Sequence, residues 1–247
     1  MQINTIDEVL VELQKIKDHC KSTNNPCGYF AVLYFQVTAR VKYGIQRQEF
    51  DNNELMEKLD IVFAKRYIDA FWAYVENRPL SACWRVAFEA SQQQNLIVLQ
   101  HMIAGINAHI NLDLGIAASD TMEGQPLEGM RTLFFQMNQV LSDMVDEQKA
   151  KMAQISSVFK WLMPMAKKLD EKLVQFSIQV ARDGAWQFAV QYHASDNRAN
   201  LCLERDTIIT QLGKAILAPG FRLSCLIKTI RFFESGSVAD IMGKLSS

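Results

Sequence analysis

Apolar residues recur along most of the chain with the three-and-four spacing of an amphipathic helix. The first such stripe consists of Val9, Leu10, Leu13 and Ile16. Thr5 and Glu8 precede it at the spacing of a capping box, in which a hydroxyl and a carboxylate bond the free N–H groups of the first turn. This pattern predicts a helix that begins just after Thr5.

The same spacing, with the breaks between stripes, predicts most of the remaining architecture. Further helices are expected over about 29–44, 53–78, 81–90, 96–115, 127–152 and 164–194, with a short one capped by Ser237 and Asp240. Loops are expected over 118–127 and 195–200 and at Pro219-Gly220. Only 11 Gly and 5 Pro occur, fewer than strand-and-turn folds need. We therefore predict an all-α bundle of eight to ten helices forming one domain over 1–247, with a possible helical extension from about 195.

Composition narrows the classes of partner. The chain has 247 residues, 49% of them hydrophobic, and a net charge of −1 without a basic face, so no nucleic-acid partner is expected. No apolar run is long enough to span a membrane. The five cysteines form no C-x-x-C pair and the N-terminal segment does not resemble a signal peptide, which favours reduced thiols in the cytoplasm.

One predicted helix carries most of the polar groups that could do chemistry. With about 100° per residue, Gly105, His109 and Asp113 lie about 40°, 80° and 120° from His101, on one face. His109 and Asp113 are neighbours four residues apart, whereas His101 lies about 12 Å away along the axis. Gly105 costs a helix about 1 kcal/mol, and a close approach by a ligand or another helix would explain it.

Imidazole and carboxylate groups suit zinc, iron or manganese, so His101, His109 and Asp113 are candidate metal ligands. One metal could bind His109 and Asp113 together, and His101 would need a second metal or a ligand that spans the groove. The alternative is a buried structural pair in which the carboxylate fixes the imidazole tautomer.

Another predicted helix supplies candidate catalytic groups among inward apolar residues. Asp60 and Tyr67 share a face, and Asp60 is a possible metal ligand or general base. Arg66 could pair with Asp113 or hold an anionic group of a substrate, and the two readings stay open.

Three further residues are candidate substrate contacts: Arg182, Trp186 and Asn111. Arg182 and Trp186 are four residues apart, a spacing that allows stacking. Asn111 and Asn107 lie on the side of their helix away from His109, where hydrogen bonds to another helix are the alternative role. Asp143, Asp146 and Glu147 share one helix and indicate a solvated face rather than a metal site. Glycine-rich phosphate loops are absent, so no nucleotide cofactor is expected.

Several runs resemble an uncharacterised bacterial family of all-helical domains of unknown function. They are His101 with the run Asn107–Ala117, together with residues 59–67, Trp84-Arg85 and residues 176–186. The resemblance covers about Ile6 to Phe188, and it implies an all-helical fold without an established activity.

His109-x-x-x-Asp113 is also similar, more distantly, to the zinc motif of zinc-dependent phospholipase C and the P1-type nucleases, which are all-helical. Those enzymes use about five histidines and a free N-terminal tryptophan, whereas this chain has four histidines and begins with Met1. The likeness implies one or two metals rather than a cluster of three.

These features favour a metal-dependent enzyme, most plausibly a hydrolase of a small molecule, in which metal-bound water supplies hydroxide near neutral pH. A metal-free helical protein that binds a small molecule in the same pocket is the first alternative. A structural protein with a buried His–Asp network is the second.

Overall fold

The computed structural model describes residues 3–137, 140, 155 and 178–246, and for 178–180, 182 and 222 it describes the backbone alone. The described helices are α1 (Ile6–Ser22), α2 (Gly28–Gln46), α3 (Asn53–Val75), α4 (Ala82–Glu89), α5 (Val98–Ala108), α6 (Leu114–Thr121), α7 (Ile178–His193), α8 (Arg198–Leu217), α9 (Phe221–Phe233) and α10 (Val238–Ser246). Short 3-10 turns cover Ala90–Gln92 and Leu127–Met130. This part of the chain contains no β-strand, which confirms the all-helical prediction.

Local capping signals explain where several helices begin. The Thr5 hydroxyl accepts a hydrogen bond from the Glu8 N–H at 3.2 Å, as the capping pattern predicts. Asn52 caps α3, since its side-chain oxygen accepts from the Leu55 N–H at 3.0 Å. Ser237 and Asp240 cap α10 reciprocally, as predicted.

The start of α4 is capped from a distance instead. Ser81, the predicted cap, makes no capping hydrogen bond with its side chain. The carboxylate of Asp206 in α8 accepts from the N–H groups of Ala82 and Cys83 at 2.7 and 2.8 Å. A carboxylate satisfies free N–H groups and is favoured by the helix dipole. Sequence spacing cannot reveal it because Asp206 lies more than a hundred residues away.

A buried rod of three consecutive segments forms the centre of the fold. It consists of α5, a π-helical turn over His109–Asp113, and α6. The prediction of a loop from residue 118 is wrong for 118–121, which complete α6. Ser119 lies within this helix and is fully buried. Its hydroxyl forms a hydrogen bond with Nδ1 of His193 in α7 at 3.1 Å. Tertiary packing therefore overrides the local loop preference of Ser119.

Among the described helices, five surround this rod. α5 packs on α2, α4 and α8, while α6 packs on α3 and α7. Residues 107–119 are all buried as a result. α10 closes the other side of α2.

The predicted helix over 127–152 begins as a 3-10 turn and is helical over 131–137. Its remainder, with Asp143, Asp146 and Glu147, lies outside the described residues, as does the start of the helix predicted over 164–194. No described helix has the length and apolar character needed to cross a membrane.

Gly115 sets the distance between α6 and α7. A Cβ atom at this position would lie 2.8 Å from the backbone oxygen of Ala185 and 2.8 Å from the ring of Phe188. Backbone cannot move aside as a side-chain tip can, so only glycine permits this approach.

We therefore predict that Gly115→Ala lowers the free energy of unfolding by about 1–2 kcal/mol, because overpacking exceeds the gain in helix propensity. Urea unfolding measures this loss. The control is Gly243→Ala in α10, where a Cβ would meet no atom within 4 Å and stability should hold or rise. Equal effects of the two substitutions would contradict the packing account.

Candidate functional site

The carboxylate of Asp113 receives three hydrogen-bond donors in the interior. Arg66 Nε donates to Oδ1 at 2.9 Å, and Trp84 Nε1 donates to Oδ2 at 2.8 Å. His109 Nδ1 lies 3.2 Å from the same Oδ2. Burial alone would raise the pKa of Asp113, but Arg66, His109 and Trp84 outweigh it and lower that pKa. Asp113 is therefore an ionised carboxylate at neutral pH.

These donors come from three different parts of the fold. Arg66 lies on α3, Trp84 on α4, and His109 begins the π-helical turn that Asp113 ends. Single π-helical turns within α-helices are frequent at functional sites. The ion pair with Arg66 agrees with one of the two roles expected for that residue.

The ionised Asp113 fixes the tautomer of His109. An ionised carboxylate can only accept hydrogen bonds. The proton of the neutral imidazole therefore lies on Nδ1, the nitrogen that faces Asp113. Burial lowers the pKa of His109, against the opposing effect of Asp113, and Arg66 lowers it further. The imidazole is therefore neutral at pH 7, and its Nε2 presents a bare lone pair.

An aromatic shell encloses this imidazole. Phe63 stacks on it with a centroid separation of 3.7 Å and an interplanar angle of 5°, and Tyr34 meets it edge-on at 4.4 Å. Phe30, Tyr67 and Trp84 complete the shell at 5.8–6.0 Å. The shell excludes bulk water, which strengthens any polar interaction made inside it.

Several buried polar atoms near this shell lack a hydrogen-bond partner among the described residues: His109 Nε2, Tyr34 Oη, Tyr67 Oη, Thr38 Oγ1 and Asp60 Oδ2. Tyr34 and Thr38 lie close together, without hydrogen-bond geometry between them. Buried polar atoms are normally satisfied by protein, ordered water or a ligand. These atoms belong to His109, to two residues whose rings adjoin it, and to two neighbours of Tyr34, so they mark a group of polar atoms within the core.

Asp60 differs from Asp113 because none of the described residues supplies a cation that compensates it. Burial, helped by Glu57, raises the pKa of Asp60 to about 8. The side chain is therefore a neutral carboxylic acid at pH 7 and can donate a hydrogen bond. Asp60 lies near Tyr34, whose ring meets the His109 imidazole, so Tyr34, Tyr67 and Asp60 add three buried O–H groups to this part of the core.

His101 lies apart from His109, on the other side of the close contact at Gly105. A Cβ at Gly105 would lie 2.6 Å from the ring of Phe30, so α2 makes the approach that this glycine permits. His101 meets the ring of Tyr29 and lines a cavity of about 10 Å³, near the lower limit for one water molecule. Burial, aided by Arg231, lowers the pKa of His101 to about 4.

The remaining candidates lie away from the imidazole of His109. Asn111 donates to Oδ1 of Asn107, and Asn107 donates to the Ile209 carbonyl, each at 3.0 Å, so the pair links the rod to α8. Trp186 packs on Phe134 at a centroid separation of 5.0 Å. The Arg182 side chain, and with it the expected stacking on Trp186, lies outside the described residues.

Within the part of the chain that the structure describes, no three His, Cys, Asp or Glu residues are grouped so that they could hold a metal ion. His109 and Asp113 adjoin each other, but Arg66 and Trp84 already occupy the carboxylate. The metal site therefore stays a prediction.

Sequence reasoning missed the residues that build the surroundings of the imidazole. In the sequence Trp84 belongs only to a family-like run, and Tyr34 and Phe63 carry no functional signal. No spacing rule connects these residues, since they meet only through the packing of α2, α3 and α4 against the rod.

Fold and site together define an all-helical protein with a buried Arg–Asp–His network. The chain belongs to the family of unknown function DUF5995, which it matches over residues 6–219. This confirms the resemblance to an uncharacterised family. No curated protein and no solved structure shows a significant match. The likeness to zinc-dependent phospholipase C stays a prediction.

We predict that Arg66→Leu lowers the free energy of unfolding by about 3–5 kcal/mol, because it leaves the buried Asp113 without its cation. The measurement is urea unfolding at neutral pH. Lys65→Leu is the matched control, since Lys65 pairs with Asp69 at the surface and its loss should cost less than about 0.5 kcal/mol. A similar small loss in both variants would show that Asp113 does not depend on Arg66.

Proposed function

We propose that this protein binds a small, uncharged polar molecule at the imidazole of His109, without a metal ion. The observation that carries the proposal is the unpartnered lone pair of Nε2, together with the unpartnered hydroxyls of Tyr34 and Tyr67, whose rings adjoin the imidazole. Asp60 adds a further buried and unpartnered carboxyl oxygen. A ligand with both a donor and an acceptor, such as a hydroxyl or amide group, would satisfy these atoms together. Its donor would form a hydrogen bond to Nε2, and its acceptor would accept a hydrogen bond from Tyr34, Tyr67 or Asp60.

The charge balance supports an uncharged ligand. Arg66 and Asp113 neutralise each other, His109 is neutral, and the raised pKa of Asp60 keeps that carboxyl protonated. A charged molecule would lose its hydration without gaining a free counterion in this region. In this arrangement His109 would serve as hydrogen-bond acceptor, and as general base if the ligand reacts.

A metal-dependent hydrolase is the second candidate, and one observation favours it. Histidines that bind metals usually donate their other ring N–H to a carboxylate, as His109 does to Asp113. Here Asp113 would orient His109 rather than bind the metal, and Asp60 could contribute an oxygen. His101 would not bind the same metal, because it lies apart from His109 on the rod.

The five cysteines are free, which supports the proposal of a reducing compartment such as the cytoplasm. Cys20, Cys27 and Cys83 are buried, and burial raises the pKa of each thiol. A small-molecule role in the cytoplasm would therefore not involve these thiols as nucleophiles.

The test is a thermal-shift screen of the full chain with small neutral alcohols, phenols and amides, alongside elemental analysis of protein purified without chelator or affinity tag. We expect no stoichiometric metal and at least one compound that stabilises the protein. A ligand at a hundred times its Kd adds about 2.7 kcal/mol, which raises Tm by several degrees. Native mass spectrometry would then report the bound stoichiometry.

Two variants separate the candidates. His109→Gln should abolish the ligand-induced shift, whereas His101→Gln, in the same rod but facing Tyr29, should retain it. Stoichiometric metal that disappears in His109→Gln would replace the proposal with the metal-dependent one. No metal and no stabilising compound would instead favour a structural role for the buried network.

A further inference from the structure

α9 exposes three phenylalanine side chains to solvent. Phe221 and Phe232 are each 84% exposed, and Phe233 is 44% exposed. The inward face of the same helix consists of Leu223, Ile227 and Ile230, which are buried. The exposed rings are therefore not needed for the packing of α9 on the protein.

Two of the exposed rings, those of Phe221 and Phe232, form one stripe. Phe221 and Phe232 are eleven residues apart, so they lie about 16 Å apart along the axis and only about 20° apart around it. Cys225 and Lys228 lie between them on the same side and are also exposed. A single flat surface could thus meet both ends of α9 at once.

The charged residues of α9 are all basic. Residues 221–233 include Arg222, Lys228 and Arg231 and no acidic residue. Arg231, 42% exposed, donates to the Gln94 carbonyl at the end of the helix. Glu234, the next acidic group, faces inward, where its carboxylate accepts from the Val98 N–H. The outward surface of α9 therefore offers cations and aromatic rings without a negative group of its own.

We propose that α9 docks this protein on an anionic lipid bilayer. The rings of Phe221 and Phe232 enter the boundary between headgroups and acyl chains, and Lys228 contacts lipid phosphates. Aromatic residues combined with Lys and Arg on one exposed helical face are typical of helices that lie in a membrane interface. Basic residues near such a surface add electrostatic attraction to the anionic lipids.

A second copy of the chain fits this face less well. In a two-fold dimer, Phe221 of one copy would pair with Phe232 of the other, and Lys228 would lie opposite Cys225. The Lys228 side chains of the two copies would then lie within about one helical turn of each other. Like charges at that distance repel, whereas an anionic surface attracts both. An anionic bilayer is therefore the better match in charge.

This face is also independent of the proposed role of His109. The family match ends at residue 219, so α9 lies beyond the matched region that contains the buried network. Membrane docking and ligand binding can consequently succeed or fail separately.

The experiment is co-sedimentation of the full chain with phosphatidylcholine vesicles, with or without about one third phosphatidylserine. Binding is expected only to the vesicles that contain phosphatidylserine, and it should weaken as salt rises. The double variant Phe221→Ser/Phe232→Ser should bind at least about tenfold more weakly. Lys228→Glu, which reverses one charge, should also weaken binding by about tenfold.

Matched controls come from α8, where Leu203 and Ile208 are 67% and 58% exposed. Leu203→Ser/Ile208→Ser and Lys214→Glu should leave vesicle binding unchanged, and circular dichroism should show all variants folded. The proposal is overturned by equal binding to both vesicle types, by no binding to either, or by full binding of the phenylalanine variant. A dimer that requires Phe232 and ignores vesicles would overturn it in favour of self-association.

Discussion

The structure depends on one buried negative charge. The Asp113 side chain is 2% exposed, and an ionised carboxylate at that depth needs a cation and hydrogen-bond donors to offset its lost hydration. Arg66 from α3 and Trp84 from α4 supply them, while His109 adds a third donor from the same rod. The requirement fixes α3, α4 and the central rod relative to one another.

The same charge determines what His109 can do. Because Asp113 can only accept, the imidazole directs its Nδ1 proton toward the carboxylate, and its Nε2 lone pair has no partner among the described residues. An unsatisfied buried polar group costs about 1–3 kcal/mol, so a core optimised for stability alone would not retain several of them together. Functional sites often retain groups that lower the stability of the fold, and the unsatisfied polar atoms here support a ligand at this position.

Much of the fold could be predicted because it follows from local patterns. Helical stripes and the caps at Thr5 and Ser237 depend only on neighbouring residues, as does the contact between His109 and Asp113. The choice between the two roles of Arg66 and the donor at Trp84 depend on tertiary packing instead. The π-helical turn had no local signal, and a regular helix was assumed through it. At Gly105 the close approach that the glycine predicts is made by another helix, through Phe30 of α2.

The most direct test of this account is nitrogen NMR of the His109 imidazole in the full chain, with His109→Gln used to assign its signals. The account predicts a neutral ring at pH 7, protonated on Nδ1 and unprotonated on Nε2, that stays neutral below the usual pKa of histidine, about 6.5. Arg66→Leu should perturb this state if the protein remains folded. A proton on Nε2 at neutral pH, or a charged imidazolium there, would contradict the account.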